Sequence, residues 1–269
     1  MALFRGDIYS HALKLDTQLC VIFPDVPFNV VSPYNETKVL YLLHGLTDSA
    51  TGWARLTNAE YLAMVNNYIL IMPEVQRSFY TDMAYGPKYF TYIAEELPEL
   101  VNKMFRIPQG KENTFIAGLS MGGYGACKIG FSKPESFGGI GCFSGGVDTE
   151  WIVGDFLKEK TEGDFADQNG DYKDVVAIFG PDYAEKDLND VFRLGREQAK
   201  NPDRPRLLQT CGTEDFLYQG NAKFRKALEE AGYGHTYLEW KGAHEWLSLI
   251  HISVAIAKRY TCSHPEHRS

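Results

Sequence analysis

Short apolar runs alternate along the chain with stretches whose apolar residues recur at helical spacing. Lys38 to Leu43 and Tyr68 to Met72 are continuous apolar runs, the pattern of strands covered on both faces in a parallel sheet. Pro73 closes the second, because it cannot donate to a strand ladder. Similar strands are expected at Asn113 to Leu119, Ile140 to Phe143, Arg206 to Cys211 and His235 to Trp240. Near the start, Asp7 to Leu13 and Gln18 to Phe23 predict two strands that enter the sheet antiparallel across a short turn. Between the strands, Trp53 to Asn66 and the series Phe90, Ile93, Ala94, Leu97, Val101 and Met104 predict helices. Pro98 must kink the second of these or start a new one. Phe224, Ala227, Leu228 and Ala231 mark the buried face of a later helix with Gly232 at its C′ position, and Trp246, Leu249, Ile250, Val254 and Ala257 mark a last one. The expected architecture is therefore α/β, a mostly parallel central sheet with helices on both faces, formed as a single domain over 1–269. Its rhythm breaks over 146–205, an acidic stretch with irregularly spaced aromatics that predicts a lid-like insertion within that domain. The polar tail from Thr261 to Ser269 is expected to be loose.

One strand-to-helix junction carries chemistry. Gly118, Ser120 and Gly122 fill a G-x-S-x-G pattern between an apolar strand and a helix, where a tight turn lifts the serine hydroxyl above the sheet. The same glycines could serve packing alone. The flanking strand and helix are what the catalytic reading demands, and they are present. In a parallel sheet all strands deliver their C-terminal ends to one rim, so the partners of Ser120 are sought just past other strands. Asp215 follows the Arg206 strand and His244 the last strand, giving the chain order Ser, Asp, His of the α/β hydrolases. Glu214 adjoins Asp215 and is the weaker candidate, His235 opens its strand at the opposite edge, and His251 lies two turns into the last helix. Two backbone amides are expected to face the oxyanion, that of Met121 after the nucleophile and that of Leu46 in the turn that Gly45 permits. His44 is read as a brace for that turn. Among the aromatics near strand ends, which include Phe79, Tyr85, Phe216 and Tyr218, Trp53, Tyr80 and Trp246 are taken as the wall of a substrate pocket.

A net charge of −8 argues against nucleic acid as a partner, since phosphate contacts need a basic face. The first residues lack the layout of a signal peptide, and no apolar run reaches membrane-spanning length, so no membrane association and a cytoplasmic location are expected. Cys20, Cys127, Cys142, Cys211 and Cys262 are scattered, with no C-x-x-C pair or histidine at metal spacing, and read as reduced thiols. The glycine of Asp167 to Asp171 comes too early for an EF-hand loop, and a solvated turn is expected there. No metal and no cofactor are implied.

Several motifs together resemble one family. His44 to Ser49, Trp53, Ser78 to Gly86, Glu95 to Pro98, Ala117 to Gly125, Gly212 to Tyr218 and Gly242 to Trp246 are similar to the tributyrin esterases of the esterase D group, a likeness running from about Asp7 to Tyr260. The resemblance implies an α/β-hydrolase fold, hydrolysis of short-chain carboxylic esters, and Ser120, Asp215 and His244 in the roles above. Relatives in that group act on acetylated sugars, feruloyl esters or S-formylglutathione, so a small-molecule ester is the expected substrate. A thioesterase or acyltransferase on the same triad is the alternative, and a non-catalytic carbohydrate-binding or scaffolding protein a minor one. The resemblance leaves a homo-oligomer open. The insertion matches the family least.

Overall fold

The computed structural model describes residues 1–24, 37–107, 110–159, 171–183 and 186–246. The strands are β1 Ala2–Ser10, β2 Leu15–Phe23, β3 Lys38–Leu43, β4 Tyr68–Pro73, β5 Thr114–Leu119, β6 Gly139–Phe143, β7 Arg206–Gly212 and β8 Thr236–Trp240. They form one eight-stranded sheet in the order β1-β2-β4-β3-β5-β6-β7-β8. β1 and β2 make an antiparallel hairpin, β2 runs antiparallel to β4, and every pairing from β4 to β8 is parallel. This is the expected α/β architecture. The hairpin differs in its bounds: the first strand, expected over Asp7 to Leu13, spans Ala2–Ser10, where Leu3 and Phe4 pair with Ile22 and Val21 while their own side chains stay exposed.

Helices cover both faces. On one, α1 Gly52–Leu56 and α2 Ala59–Asn66 bury Trp53, Ala59 and Ala63 against Ile22, Leu42, Leu70 and Met72. On the other, α3 Tyr89–Thr91, a π-helical turn Tyr92–Glu96 and α4 Leu97–Phe105 run on from one another, with Tyr92, Ile93, Leu97 and Val101 buried. Pro98 lies in the first turn of α4, where its missing N–H costs least, and the π-helical turn before it absorbs the break.

Next comes α5 Met121–Ser132, buried from Met121 through Phe131, as suits a helix packed on all sides. Its one charged residue, Lys128, is buried too, and its Nζ donates to Thr81 Oγ1 at 2.9 Å and to Asn189 Oδ1 at 2.7 Å. A buried cation needs such partners. Here they tie two other segments to α5.

The segment 146–205 is more regular than its sequence suggests. It contains α6 Thr149–Glu159, α7 Asp171–Phe179, α8 Lys186–Asn189 and α9 Val191–Gln198. These helices are short, so each shows helical periodicity over only two or three turns. Helix α9 packs on α5 and on α10, which spans Tyr218–Glu230, and buries Val191 and Gly195 there. Toward the other end, α7 is held to the loop before α3: Ala84 and Tyr85 donate to the carbonyls of Ile178 and Ala177, and Phe79 meets Phe179 edge to face at 5.7 Å.

No helix among the described residues is long and apolar enough to cross a membrane. Cys20, Cys127, Cys142 and Cys211 are buried free thiols. Cys262, His251, the tail, the predicted helix beyond Trp246 and most of the Asp167 to Asp171 turn lie outside the described residues.

The ring of Phe131 is 1 % exposed and contacts Phe224 and Tyr233. Phe131→Ala should therefore lower unfolding free energy by about 3–5 kcal/mol, measured by urea denaturation with the slope m unchanged.

Candidate active site

Ser120 stands between β5 and α5 with φ 56° and ψ −118°, a conformation that costs a non-glycine residue about 1–3 kcal/mol. The surrounding backbone holds it there. Its N–H donates to the Phe143 carbonyl at 2.9 Å, and its own carbonyl accepts from Tyr124 at 3.1 Å and Gly146 at 3.0 Å. The two glycines of the pattern are required by space. A Cβ on Gly118 would lie 2.3 Å from the Gly122 carbonyl oxygen, and one on Gly122 would lie 2.3 Å from that of Leu43. The turn therefore closes only because β5, α5 and the end of β3 touch backbone to backbone.

That contact brings the loop after β3 beside the serine. A Cβ on Gly45 would sit 3.7 Å from Ser120 Cβ, and Leu46 follows Gly45 with Met121 directly after Ser120. The loop is heavily braced. His44 is 1 % exposed; its Nδ1 donates to the Gly45 carbonyl at 2.8 Å and its Nε2 accepts the Val75 N–H at 3.1 Å. Glu74 Oε1 also lies 3.3 Å from Nε2, a contact that needs a proton where the Val75 amide needs a lone pair. The Val75 bond is the shorter of the two contacts. Glu74 also takes the amides of Ala50 at 2.9 Å and Gln76 at 2.8 Å. Burial pushes its carboxyl up, and the His44 contact and these amides together hold it below the ordinary value.

Asp215 and His244 meet at the next strand ends. Asp215 Oδ2 accepts from His244 Nδ1 at 2.8 Å, and its Oδ1 accepts the Leu217 N–H at 2.8 Å. Because a carboxylate only accepts, Nδ1 carries the proton and Nε2 is the basic nitrogen. The Asp215 side chain is fully buried, whereas that of His244 is 22 % exposed. Burial pushes the Asp215 carboxyl up, but its bonds to His244, Leu217 and Ser144 outweigh this and lower it. The loops carrying the two residues are joined directly. Thr213 and Glu214 donate to the carbonyls of Trp240 and Gly242, and a Cβ on Gly212 would lie 2.2 Å from the Gly242 oxygen. Glu214 itself is exposed and its carboxylate lies 3.7 Å from Lys241 Nζ. No hydrogen bond joins Ser120 to His244 among the described residues; such bonds are commonly long until a substrate is bound.

Two of the three aromatics expected at a pocket wall, Trp53 and Tyr80, are buried. Tyr80 is fully buried, its hydroxyl donating to the His44 carbonyl at 2.9 Å, and its ring fills the space where a Gly125 Cβ would lie. Trp53 is 5 % exposed and its Nε1 donates to the Leu43 carbonyl at 3.0 Å. Their polar atoms are engaged by the carbonyls of His44 and Leu43, just ahead of Gly45. Trp246 is half-buried and packs edge to face on Trp53 at 5.1 Å. The aromatic beside the imidazole is Phe216, whose ring lies 4.7 Å from that of His244 and is 66 % exposed.

Ser144, at the end of β6, escaped sequence reasoning. It has φ 44°, donates its N–H to the Thr210 carbonyl at 2.8 Å, and its hydroxyl is one of the groups that help to lower the Asp215 carboxyl. A small polar residue ahead of Gly145 and Gly146 at a strand end was the available signal. Burial, with Asp215 nearby, pushes the Cys211 thiol up to about 12, which removes it as a rival nucleophile.

Comparison with known proteins places this arrangement. A model of the putative esterase family matches residues 10–251. An acetyl esterase of Caldicellulosiruptor saccharolyticus is 32 % identical over 255 residues, covering 91 % of this chain and 93 % of that protein. The fold of a fluorophosphonate-binding serine hydrolase of Staphylococcus aureus superposes with a TM-score of 0.81 at 29 % identity, over 96 % of this chain and 97 % of that one. An S-formylglutathione hydrolase of the same organism gives 0.75 at 28 % identity, with 97 % of each chain covered.

A folded carboxyl that is lowered contributes stability that is full above its unfolded value and disappears as pH falls through its folded value. Asp215→Asn should therefore destabilise the protein by about 2 kcal/mol at neutral pH. The difference from wild type should shrink steadily below about pH 4, as followed by urea unfolding at a series of pH values.

Proposed function

Because the chain belongs to the putative esterase family and is a carboxylic ester hydrolase, we propose that it cleaves short-chain acyl esters with Ser120 as nucleophile, His244 as base and Asp215 as the group that orients it. The observation that carries this reading is the 2.8 Å bond from His244 Nδ1 to the buried Asp215, made at the rim where Ser120 is held in its strained turn. Ser120 Oγ attacks the acyl carbon as its proton passes to His244 Nε2. The negative charge on the acyl oxygen is met by the amides of Leu46 and Met121, and each such donor is worth about a hundredfold in turnover. His244 then returns the proton to the departing alcohol, leaving Ser120 acylated. Water, deprotonated by the same imidazole, releases the acid and restores the serine. Asp215 keeps the proton on Nδ1 and stabilises the imidazolium. No metal or cofactor enters these steps.

The substrate is a small molecule. One curated relative, matched over 93 % of its own length, is an acetyl esterase, which favours a short acyl group. A thioester reading has support of its own, from the likeness to an S-formylglutathione hydrolase over nearly the whole chain. Residues 146–205 are read as a cap on the same domain, since this segment begins with the Gly146 amide bonded to the Ser120 carbonyl and its α7 grips the 77–85 loop. A cytoplasmic setting agrees with four cysteines carried as free thiols.

The test is hydrolysis of p-nitrophenyl acetate, butyrate and octanoate beside S-formylglutathione and methyl ferulate. Acetate and butyrate should turn over fastest, and Ser120→Ala should lower kcat by about 10⁴-fold or more. Full activity in that variant would remove Ser120 as nucleophile. Rapid turnover of S-formylglutathione with little on the oxygen esters would select the thioester reading.

A further inference from the structure

β1 is the outer strand of the sheet, and among the described residues no strand pairs with its free side. A bare edge is a template for another chain, and monomeric proteins blunt it with short strands, bulges, prolines or lysines. β1 has no bulge, proline or lysine, and its two charged residues, Arg5 and Asp7, are of opposite sign. It runs nine residues and pairs with β2 without interruption from Ala2 opposite Phe23 to Ser10 opposite Leu15. Its exposed residues include Leu3 at 40 %, Phe4 at 50 % and Tyr9 at 53 %.

The helices nearest this edge add more exposed apolar surface on both sheet faces. Helix α2, which packs over β2, exposes Tyr61 and Val65; α4, whose Phe105 contacts Phe4 and Phe23, exposes Met104. Apolar residues scattered singly over a surface are ordinary, but a group gathered around one unpaired edge marks an interaction site.

We propose that β1 pairs antiparallel with β1 of a second copy of this chain, about a two-fold axis through Gly6, so that the two sheets become one. The charges on the strand select both the partner and the register. Residues facing each other across such an axis share a sheet face, and their numbers are symmetric about its centre. With the axis at Gly6, Arg5 of each copy faces Asp7 of the other, Leu3 faces Tyr9 and Phe4 faces Ile8. An axis at Arg5 or at Asp7 would set like charges against each other, which is unfavourable. Arg5 and Asp7 are both exposed, and a Cβ on Gly6 would meet nothing within 4 Å, so the strands can close on one another at the axis. A foreign strand would have no need of this internal symmetry. The strand complements itself.

Sedimentation velocity on the full chain across the micromolar range tests this. The wild type should be a dimer. Arg5→Asp alone and Asp7→Arg alone should each weaken it by roughly tenfold to a hundredfold, since two favourable pairs become two repulsive ones. The double variant Arg5→Asp with Asp7→Arg should restore it, with circular dichroism showing every variant folded. A wild type that stays monomeric, a dimer unmoved by either reversal, or a folded double variant that stays weak would overturn the proposal. Cross-linking gives a second readout that leaves the charges in place. Leu3→Cys and Tyr9→Cys proteins, mixed and oxidised, should join as a disulfide heterodimer while neither joins with itself, because only residues 3 and 9 face each other closely enough. Failure to cross-link would equally refute the register.

Discussion

The structure depends on one close approach of backbones. Gly118 lies against Gly122, and Gly122 against the carbonyl of Leu43, at distances that leave no room for a Cβ. This contact seats the N-terminus of α5 directly on the ends of β3 and β5. Ser120 is the residue left at the corner, and its positive φ follows from the shortness of the turn. The strain is offset by the three backbone hydrogen bonds that fix Ser120 to β6, α5 and Gly146. The same approach brings Gly45 close enough to the serine that an added Cβ would lie 3.7 Å from Ser120 Cβ. Ser120 and the Gly45 loop are thus set by one steric constraint, before any other side chain is considered.

Buried polar groups then stiffen the rim from behind. His44 bonds both its own loop and Val75, Tyr80 holds the His44 carbonyl, and Trp53 holds that of Leu43. Glu74 gathers two more amides, and the Leu217 amide is bonded to the buried Asp215. Each of these groups would be costly to bury unpaired, so together they favour a single arrangement of the loops. Sites of this kind need their donors in place before charge develops. Lys128 extends the bracing outward, linking α5 to Thr81 and to Asn189 of the insertion.

The sheet was legible in the sequence because parallel strands covered on both faces are continuous apolar runs, and β3 spans the predicted Lys38 to Leu43. The pairing of Asp215 with His244 was legible for a related reason: strand ends share a rim, so position after a strand predicts proximity. The bracing was less accessible. Tyr80 and Trp53 stand near strand ends in the sequence, and their bonds to the carbonyls of His44 and Leu43 depend on the tertiary fold. Ser144 gave only a weak signal, since its role depends on which strand lies beside β6. In 146–205 the helices are too short for periodicity to stand out against irregular aromatics, so a packed element such as α9 leaves no clear helical pattern in the sequence.

The most direct measurement of the central claim is covalent labelling with a fluorophosphonate probe, followed by peptide mass spectrometry, on wild type, His244→Ala and Asp215→Asn. The serine oxygen displaces fluoride from phosphorus only if a base removes its proton. A single adduct on Ser120 is predicted, forming at least about 10³-fold more slowly without His244 and at an intermediate rate in Asp215→Asn. Labelling at another residue, or an undiminished rate at Ser120 in the absence of the imidazole, would contradict the account.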